Sequence, residues 1–275
     1  MRDLIFRLLR EFARPIYRLT HEPLYREYWL LMLRLRARPR FTPYVLRTSR
    51  YELKIPDARS FLAAFREIFV RNIYLFKTDS PNPKIIDLGA NIGLSVLYFK
   101  MLYPQSEICA LEADPKIFEY LENNVCGNGF KDVILLNKAA WSENTTLKFA
   151  SDGADGGRVV SGGEPARYID VEAVDVSELI AKGRVDLLKI DIEGAEVDVL
   201  VRCREVLSNV QKLFVEYHSK AGQIQNLSVL LDVLESQGFR YHIHSMTNIH
   251  KPFLGISPIA GYDMLLNIFA WRPRV

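Results

Sequence analysis

No apolar run in this chain reaches the roughly 18 residues that a membrane-crossing helix needs, so nothing in it is read as spanning a bilayer. Cysteine is scarce. Cys109, Cys126 and Cys203 show no metal-ligand or redox spacing, which argues against a zinc cluster or a disulfide framework and for reduced, buried thiols. Glycine never falls in the three-fold spacing of a dinucleotide fingerprint, which a pyrophosphate needs for close backbone approach. Lysine is absent from the first fifty residues. The opening Met1-Arg2-Asp3-Leu4-Ile5-Phe6-Arg7 carries charge too early and too often for a secretory leader, so the expected location is cytoplasmic.

What is present is uneven. The net charge is +3, but residues 1–50 hold twelve Arg against four acids, an excess of +8 that leaves −5 for the rest. Leu4, Ile5, Leu8, Leu9 and Phe12 fall on one helical face, ringed by Arg2, Arg7, Arg10 and Arg14. A second helix is expected from Pro23 to about Arg36, with Leu24, Tyr28, Leu31 and Leu35 on one side. The arm is read as residues 1–50. It either caps the main domain with solvated arginines or docks on an anionic inner-membrane surface or a partner. Nucleic acid is not expected, because the basic residues are not interleaved with stacking aromatics.

At 275 residues the chain holds one large α/β domain, read as 51–275, beside that arm. Its centre is Ile85-Ile86-Asp87-Leu88-Gly89-Ala90-Asn91-Ile92-Gly93, a buried strand, a tight turn and a helix start. The N–H groups of such a turn are expected to face a ligand above the strand's carboxyl end. Glu112 ends the next apolar run about twenty residues on, where a carboxylate takes the hydroxyls of a ribose. Together these features favour a nucleoside without a pyrophosphate, S-adenosylmethionine being the common one.

Strands and helices then alternate, with strands expected at 84–88, 107–112, 132–136, 185–190 and 211–217, and two late strands at 239–244 and 264–271. This is the signature of a doubly wound sheet. Only a loop joins the last two strands, so one of them runs antiparallel. Thr145–Phe149 and Tyr168–Val171 are extra extended pieces around a glycine-rich loop. Its Asp155 and Arg158 either contact substrate from a lid or belong to a long hairpin connection.

Two stretches carry chemistry. In Lys189-Ile190-Asp191-Ile192-Glu193-Gly194-Ala195-Glu196, Lys189 and Asp191 share a strand face, and a lysine buried there needs a partner. Asp191 is the expected one. In Glu216-Tyr217-His218, Glu216 and His218 share a face beside them. His218 is the first choice of general base, Asp191 the second, and Lys189 orients the oxygen. Glu193 and Glu216 are assigned to the substrate side. Asp191, Glu193, Glu216 and His218 also form a set able to hold a divalent metal, ranked below metal-free catalysis because no known ligand spacing is matched.

With Pro56-Asp57, Glu67-Ile68-Phe69 and Gly153-Ala154-Asp155-Gly156-Gly157-Arg158, these motifs resemble the FkbM-type S-adenosylmethionine-dependent methyltransferases over roughly residues 51–271. The resemblance implies a Rossmann-like, mostly parallel seven-stranded sheet with one antiparallel strand near the C-terminus. It implies that Asp87, Gly89, Ala90, Asn91 and Gly93 line the methionine part of the cofactor and that Glu112 holds the ribose. It sets Ala139, Ala140 and Trp141 against adenine, and Asp191 beside the cofactor's amino group or the acceptor hydroxyl. It suggests O-methylation of a saccharide or related small molecule. The alternatives are a nicotinamide-dependent oxidoreductase and a non-catalytic, membrane-associated nucleoside-binding module.

Overall fold

The computed structural model describes residues 14–150, 158–159, 168–247, 252–255, 258 and 261–273. The helix expected around Leu4 to Phe12, and Asp155 in the glycine-rich loop, lie outside these residues. The chain divides into two compact units, Met1–Leu75 and Phe76–Val275. Residues 51–75 fall with the arm because β1 (Tyr44–Arg47) pairs antiparallel with β2 (Glu52–Ile55) across residue 50.

In the first unit, helix α1 (Pro23–Leu35) starts at a proline and buries Leu31 and Leu35. Helix α2 (Ala58–Phe65) is capped by Asp57, whose carboxylate accepts the Ser60 N–H at 2.8 Å. It runs on into a single π-helical turn, Arg66–Val70, and Phe61, Phe65 and Phe69 pack in sequence along it. Several arginines of the arm are engaged locally. Arg18 meets Glu22 and the Tyr25 ring, Arg34 and Arg38 meet Tyr44, and Arg40 meets Asp57.

The second unit is built on a seven-stranded sheet. Its strands are β3 (Lys84–Leu88), β4 (Glu107–Leu111), β5 (Ile134–Leu136), β10 (Leu187–Ile190), β11 (Lys212–Lys220), β12 (Arg240–Ser245) and β13 (Tyr262–Trp271). Their spatial order is β12-β13-β11-β10-β3-β4-β5. The pairs from β11 across to β5 are parallel, and β13 lies antiparallel to both its neighbours. This is the Rossmann-like sheet the resemblance implies. Strands β3 and β10 are almost wholly buried, as expected of parallel strands covered on both faces. Connecting helices α3 (Leu94–Leu102), α4 (Pro115–Gly127), α5 (Val176–Ile180), α6 (Glu196–Cys203) and α7 (Leu227–Ser236) supply that cover.

Strands β6 (Ala139–Trp141), β7 (Thr145–Ala150), β8 (Arg158–Val159) and β9 (Tyr168–Asp175) form a separate sheet in the order β6-β9-β7-β8. The extended pieces expected around the glycine-rich loop belong to it. All three cysteines are free. Cys203 is buried and Cys109 half-buried, but Cys126, expected inside, is exposed because it sits on the outer side near the end of α4.

Chain reversal creates one switch point in the sheet. β3 leads outward to β4 and β5, and the chain then returns to place β10 on the other side of β3. Ligands of open α/β sheets bind in the crevice beyond such a point, here where residues 89–93 and 191–195 leave the sheet.

Arg272, just past β13, holds the far end together. Its guanidinium donates to the carbonyls of Leu207, Val210 and Gln237 at 2.8–2.9 Å and lies over the Phe239 ring. Gln237 is the cap of α7, so these include carbonyls a helix end leaves without intrahelical donors. Arg272→Ala is expected to lower the unfolding free energy by about 2–3 kcal/mol in urea titrations, with Arg272→Lys recovering less than half. An unchanged midpoint for Arg272→Ala contradicts this reading.

Candidate active site

The first loop is the tightest element of the crevice. Gly89 has φ of 77°, and an added Cβ there would lie 1.8 Å from the Asp191 carbonyl oxygen. Gly93 has φ of 89° and would drive a Cβ to 2.9 Å from Leu121 of α4. Both positions demand glycine for reasons of space as well as conformation.

Every N–H of the loop is already spent. Those of Gly89 and Ala90 donate to the Leu111 carbonyl at 3.0 and 2.8 Å. That of Asn91 donates to Glu112 Oε2 at 2.9 Å, that of Ile92 to Asn91 Oδ1 at 2.7 Å, and that of Gly93 to the Ala90 carbonyl at 2.9 Å. The expectation that these groups face a ligand is therefore corrected. The loop is locked against β4 and is no anion cradle, and a pyrophosphate would find no backbone donor among these five residues.

Asp87 is corrected likewise. It is fully buried and cannot line a cofactor. Ser95 Oγ donates to its Oδ2 at 2.5 Å, and Lys189 Nζ lies 3.0 Å from its Oδ1. The register that sets Lys189 opposite Asp87 makes Asp87, and not Asp191, the nearer partner of the lysine. Asp191 Oδ2 is 3.7 Å away. Lys189 also donates to the carbonyls of Leu88 and Gly89, at 3.3 and 2.9 Å. Its ammonium pins the loop's first residue from below. Burial opposes its charge, but Asp87 and then Asp191 hold its pKa above the ordinary lysine value.

Glu112 stands where the sequence put it, at the carboxyl end of β4. Its two oxygens accept the N–H groups of Asn91 and Asp114, both at 2.9 Å. Each oxygen keeps a second lone pair for a ligand. Burial raises its pKa to about 7, against those two donors. Ala139 and Ala140 are buried within β6. Ala139 packs with Phe149, Val171 and Ala173, and Ala140 joins the main core. Their methyls serve packing, a correction to the adenine contact expected of them. The Asn137 amide, in the short loop between β5 and β6, donates to the Glu112 carbonyl at 2.9 Å.

Across the crevice, Asp191, Glu193, Glu216 and His218 come together as expected. His218 Nδ1 is bonded to Glu196 Oε1 at 2.9 Å. Its Nε2 is 3.6 Å from Glu193 Oε2 and 3.7 Å from Glu216 Oε1. Tyr262 donates to Glu193 Oε2 at 2.8 Å, and its ring lies 5.1 Å from the imidazole. Glu193 has φ of 58° and Asn91 φ of 49°. These are the two non-glycine residues with left-handed backbone among the described residues of this unit, and both stand on the crevice, where such strain gathers at functional sites. One ligand atom each from Asp191, Glu193 and His218 fall within 4.8 Å of one another.

Three participants were missed. Ser95 is eight residues from Asp87 and carries no motif. Glu196 lies in a quoted motif, but its bond to His218 depends on α6 standing beside β11. Tyr262 arrives only through the antiparallel pairing of β13. Arg158 lies in β8, opposite Ala150.

The charges decide the roles. Burial alone would lower the His218 pKa, but the Glu196 hydrogen bond and the charges of Glu196, Glu193 and Asp191 raise it to about 10. A ring that is already an imidazolium at neutral pH accepts no proton, so His218 is not the resting base. Burial, reinforced by Asp191, raises Glu216 to about 8. Burial raises Glu193 to about 7, with His218 pulling the other way.

Residues 87–241 match the family model described as the methyltransferase FkbM domain. Methyltransferase 1 of Beauveria bassiana is 30% identical over 200 residues, covering 63% of this chain and 79% of that one. Methyltransferase sdnD of Sordaria araneosa is 30% identical over 219 residues, covering 64% and 80%. The 2-O-methyltransferase NoeI of Sinorhizobium fredii is 26% identical over 182 residues, covering 58% and 73%.

The raised values carry a consequence for stability. Glu112, Glu193, Glu216 and His218 all bind their protons more tightly folded than unfolded. The carboxyls contribute stability that is present below about pH 4.5 and lost as pH rises through 7 to 8. The His218 contribution is present below about pH 6.5 and lost toward pH 10. The thermal midpoint is expected to fall as pH rises from 5 to 9. A calorimetric midpoint that is flat or rising across that window contradicts the assignment.

Proposed function

The chain belongs to the FkbM methyltransferase family, and from that premise we propose that it transfers the methyl of S-adenosylmethionine to a hydroxyl oxygen of a saccharide or related small molecule. The observation that carries the choice of donor is the accounting of the Gly89–Gly93 loop. Its N–H groups are all engaged, while the carboxylates of Glu112 and Asp191 stand on the rim. Such a rim suits a cationic nucleoside and repels a pyrophosphate. The same observation weighs against a nicotinamide dinucleotide. The oxygen acceptor is supported by one relative whose name specifies 2-O-methylation.

S-adenosylmethionine, when bound, supplies an electrophilic methyl on a sulfonium. Glu112 would hold the ribose hydroxyls through its remaining lone pairs, and Asp191 the cofactor's amino group. Lys189 acts as a positioning residue, keeping Gly89 and Asp191 in place through the carbonyls it bonds. Glu216 takes the proton of the acceptor hydroxyl as the oxygen forms its bond to carbon and the carbon–sulfur pair leaves with sulfur. A carboxylate with a raised pKa is matched to that work near neutral pH. Its ionised form is the active one, so turnover rises with pH up to about 8. Alignment of donor and acceptor accounts for most of the remaining acceleration.

Titration calorimetry is expected to show S-adenosylmethionine binding and no NADH binding. Glu112→Gln should weaken the donor at least tenfold, about 1.4 kcal/mol. Glu216→Gln should reduce transfer of labelled methyl to a panel of glycans and hydroxylated small molecules by about a hundredfold or more, with donor affinity changed less than threefold. Binding of NADH instead, or full turnover in Glu216→Gln, overturns the reading.

A further inference from the structure

We infer that Asp191, Glu193 and the Nε2 atom of His218 form a binding site for a divalent first-row cation of the Mn²⁺ type. The sequence ranking of metal below metal-free chemistry rested on spacing along the chain. The loop after β10 supplies Asp191 and Glu193 and strand β11 supplies His218, and the spacing between these two elements is visible only in the fold.

His218 is the telling residue. Its side chain is only 3% exposed, and Nδ1 is fixed by Glu196 at 2.9 Å. Nε2 has no hydrogen-bond partner among the described residues. It points at carboxylate oxygens of Glu193 and Glu216 from 3.6 and 3.7 Å, too far for a hydrogen bond. The ring's Nε2 proton faces these carboxylates in the metal-free chain, and a cation would displace it to take the buried nitrogen as a ligand atom. Glu196 stands behind it as the carboxylate that usually orients a metal-binding histidine.

The remaining geometry agrees. The three candidate ligand atoms lie within 4.8 Å of one another. Ligands at about 2.1 Å from one ion stand up to about 4.2 Å apart. The gap closes by small rotations of Asp191 and Glu193, whose side chains are 26% and 21% exposed. That exposure is also the entry path. Tyr262 anchors one oxygen of Glu193 and leaves the other to turn. One imidazole nitrogen with two carboxylates favours Mn²⁺ or a neighbouring ion over Mg²⁺ alone. Glu216 is not in the set and keeps its role as base. What the ion does in the reaction rests on the hydroxyl-acceptor reading: it binds the acceptor oxygen and lowers its pKa, so that Glu216 removes the proton more readily.

Electron paramagnetic resonance of free Mn²⁺, titrated with the full chain, reads the site without donor or acceptor. About one Mn²⁺ per chain is expected, with a dissociation constant in the range of tens of micromolar. Asp191→Asn and His218→Ala should weaken it at least tenfold, and Glu196→Gln about tenfold through the lost orientation of His218. Glu235→Gln, at a distant exposed position, should change nothing. If His218→Ala fails to fold, Glu196→Gln and Asp191→Asn carry the test. No binding up to 1 mM Mn²⁺ in the folded wild type, or binding indifferent to Asp191→Asn and Glu196→Gln, overturns the inference. Either result leaves donor binding, measured separately by calorimetry, unaffected.

Discussion

A single ammonium organises the crevice. Lys189 sits in the second strand of the switch point with both it and Asp87 removed from water. A buried charge of this kind is tolerated only when paired and hydrogen-bonded, and removing one partner costs roughly 3–5 kcal/mol. Here the pairing reaches sideways across the sheet, from β10 to β3, and upward to the carbonyls of Leu88 and Gly89. The lysine thereby fixes the first loop relative to the second. Asp191 follows two residues later, its N–H on the Leu88 carbonyl at 3.2 Å, and its own carbonyl leaves no room for any residue but glycine at 89.

From that fixed point the two halves of the site diverge in character. Around Gly89–Gly93 and Glu112 the backbone is fully bonded and rigid, and what remains for a ligand is negative charge. Around His218 four carboxyls converge on one ring, and the strain at Glu193 and the partly exposed acids mark the side where chemistry happens. Rigid recognition on one side and an adjustable polar cluster on the other suit a reaction whose rate comes largely from alignment. No helix among the described residues is long and apolar enough to cross a membrane.

Much of this was legible in the sequence for a physical reason. Buried parallel strands are continuous apolar runs, so an acid at their ends stands out, and Asp87, Glu112 and Asp191 were all visible that way. Glu216 and His218 were visible because alternation along a strand puts them on one face. The partner of Lys189 was not legible, since sequence offers Asp191 two residues away and only the inter-strand register brings Asp87 closer. The direction of the loop's N–H groups was not legible either, because their acceptors belong to β4 and to side chains. The charge of His218 depends first on Glu196, which reaches it from a helix that only folding sets beside it.

The most direct test removes the ammonium. Lys189→Met should lower unfolding stability by roughly 3 kcal/mol or more, because Asp87 is left buried and unpaired, and should weaken S-adenosylmethionine at least tenfold. Adding Asp87→Asn should recover much of the stability but not the affinity, since the carbonyls of Leu88 and Gly89 still lack their donor. A Lys189→Met chain that unfolds at the wild-type midpoint and binds the donor as tightly would contradict the account.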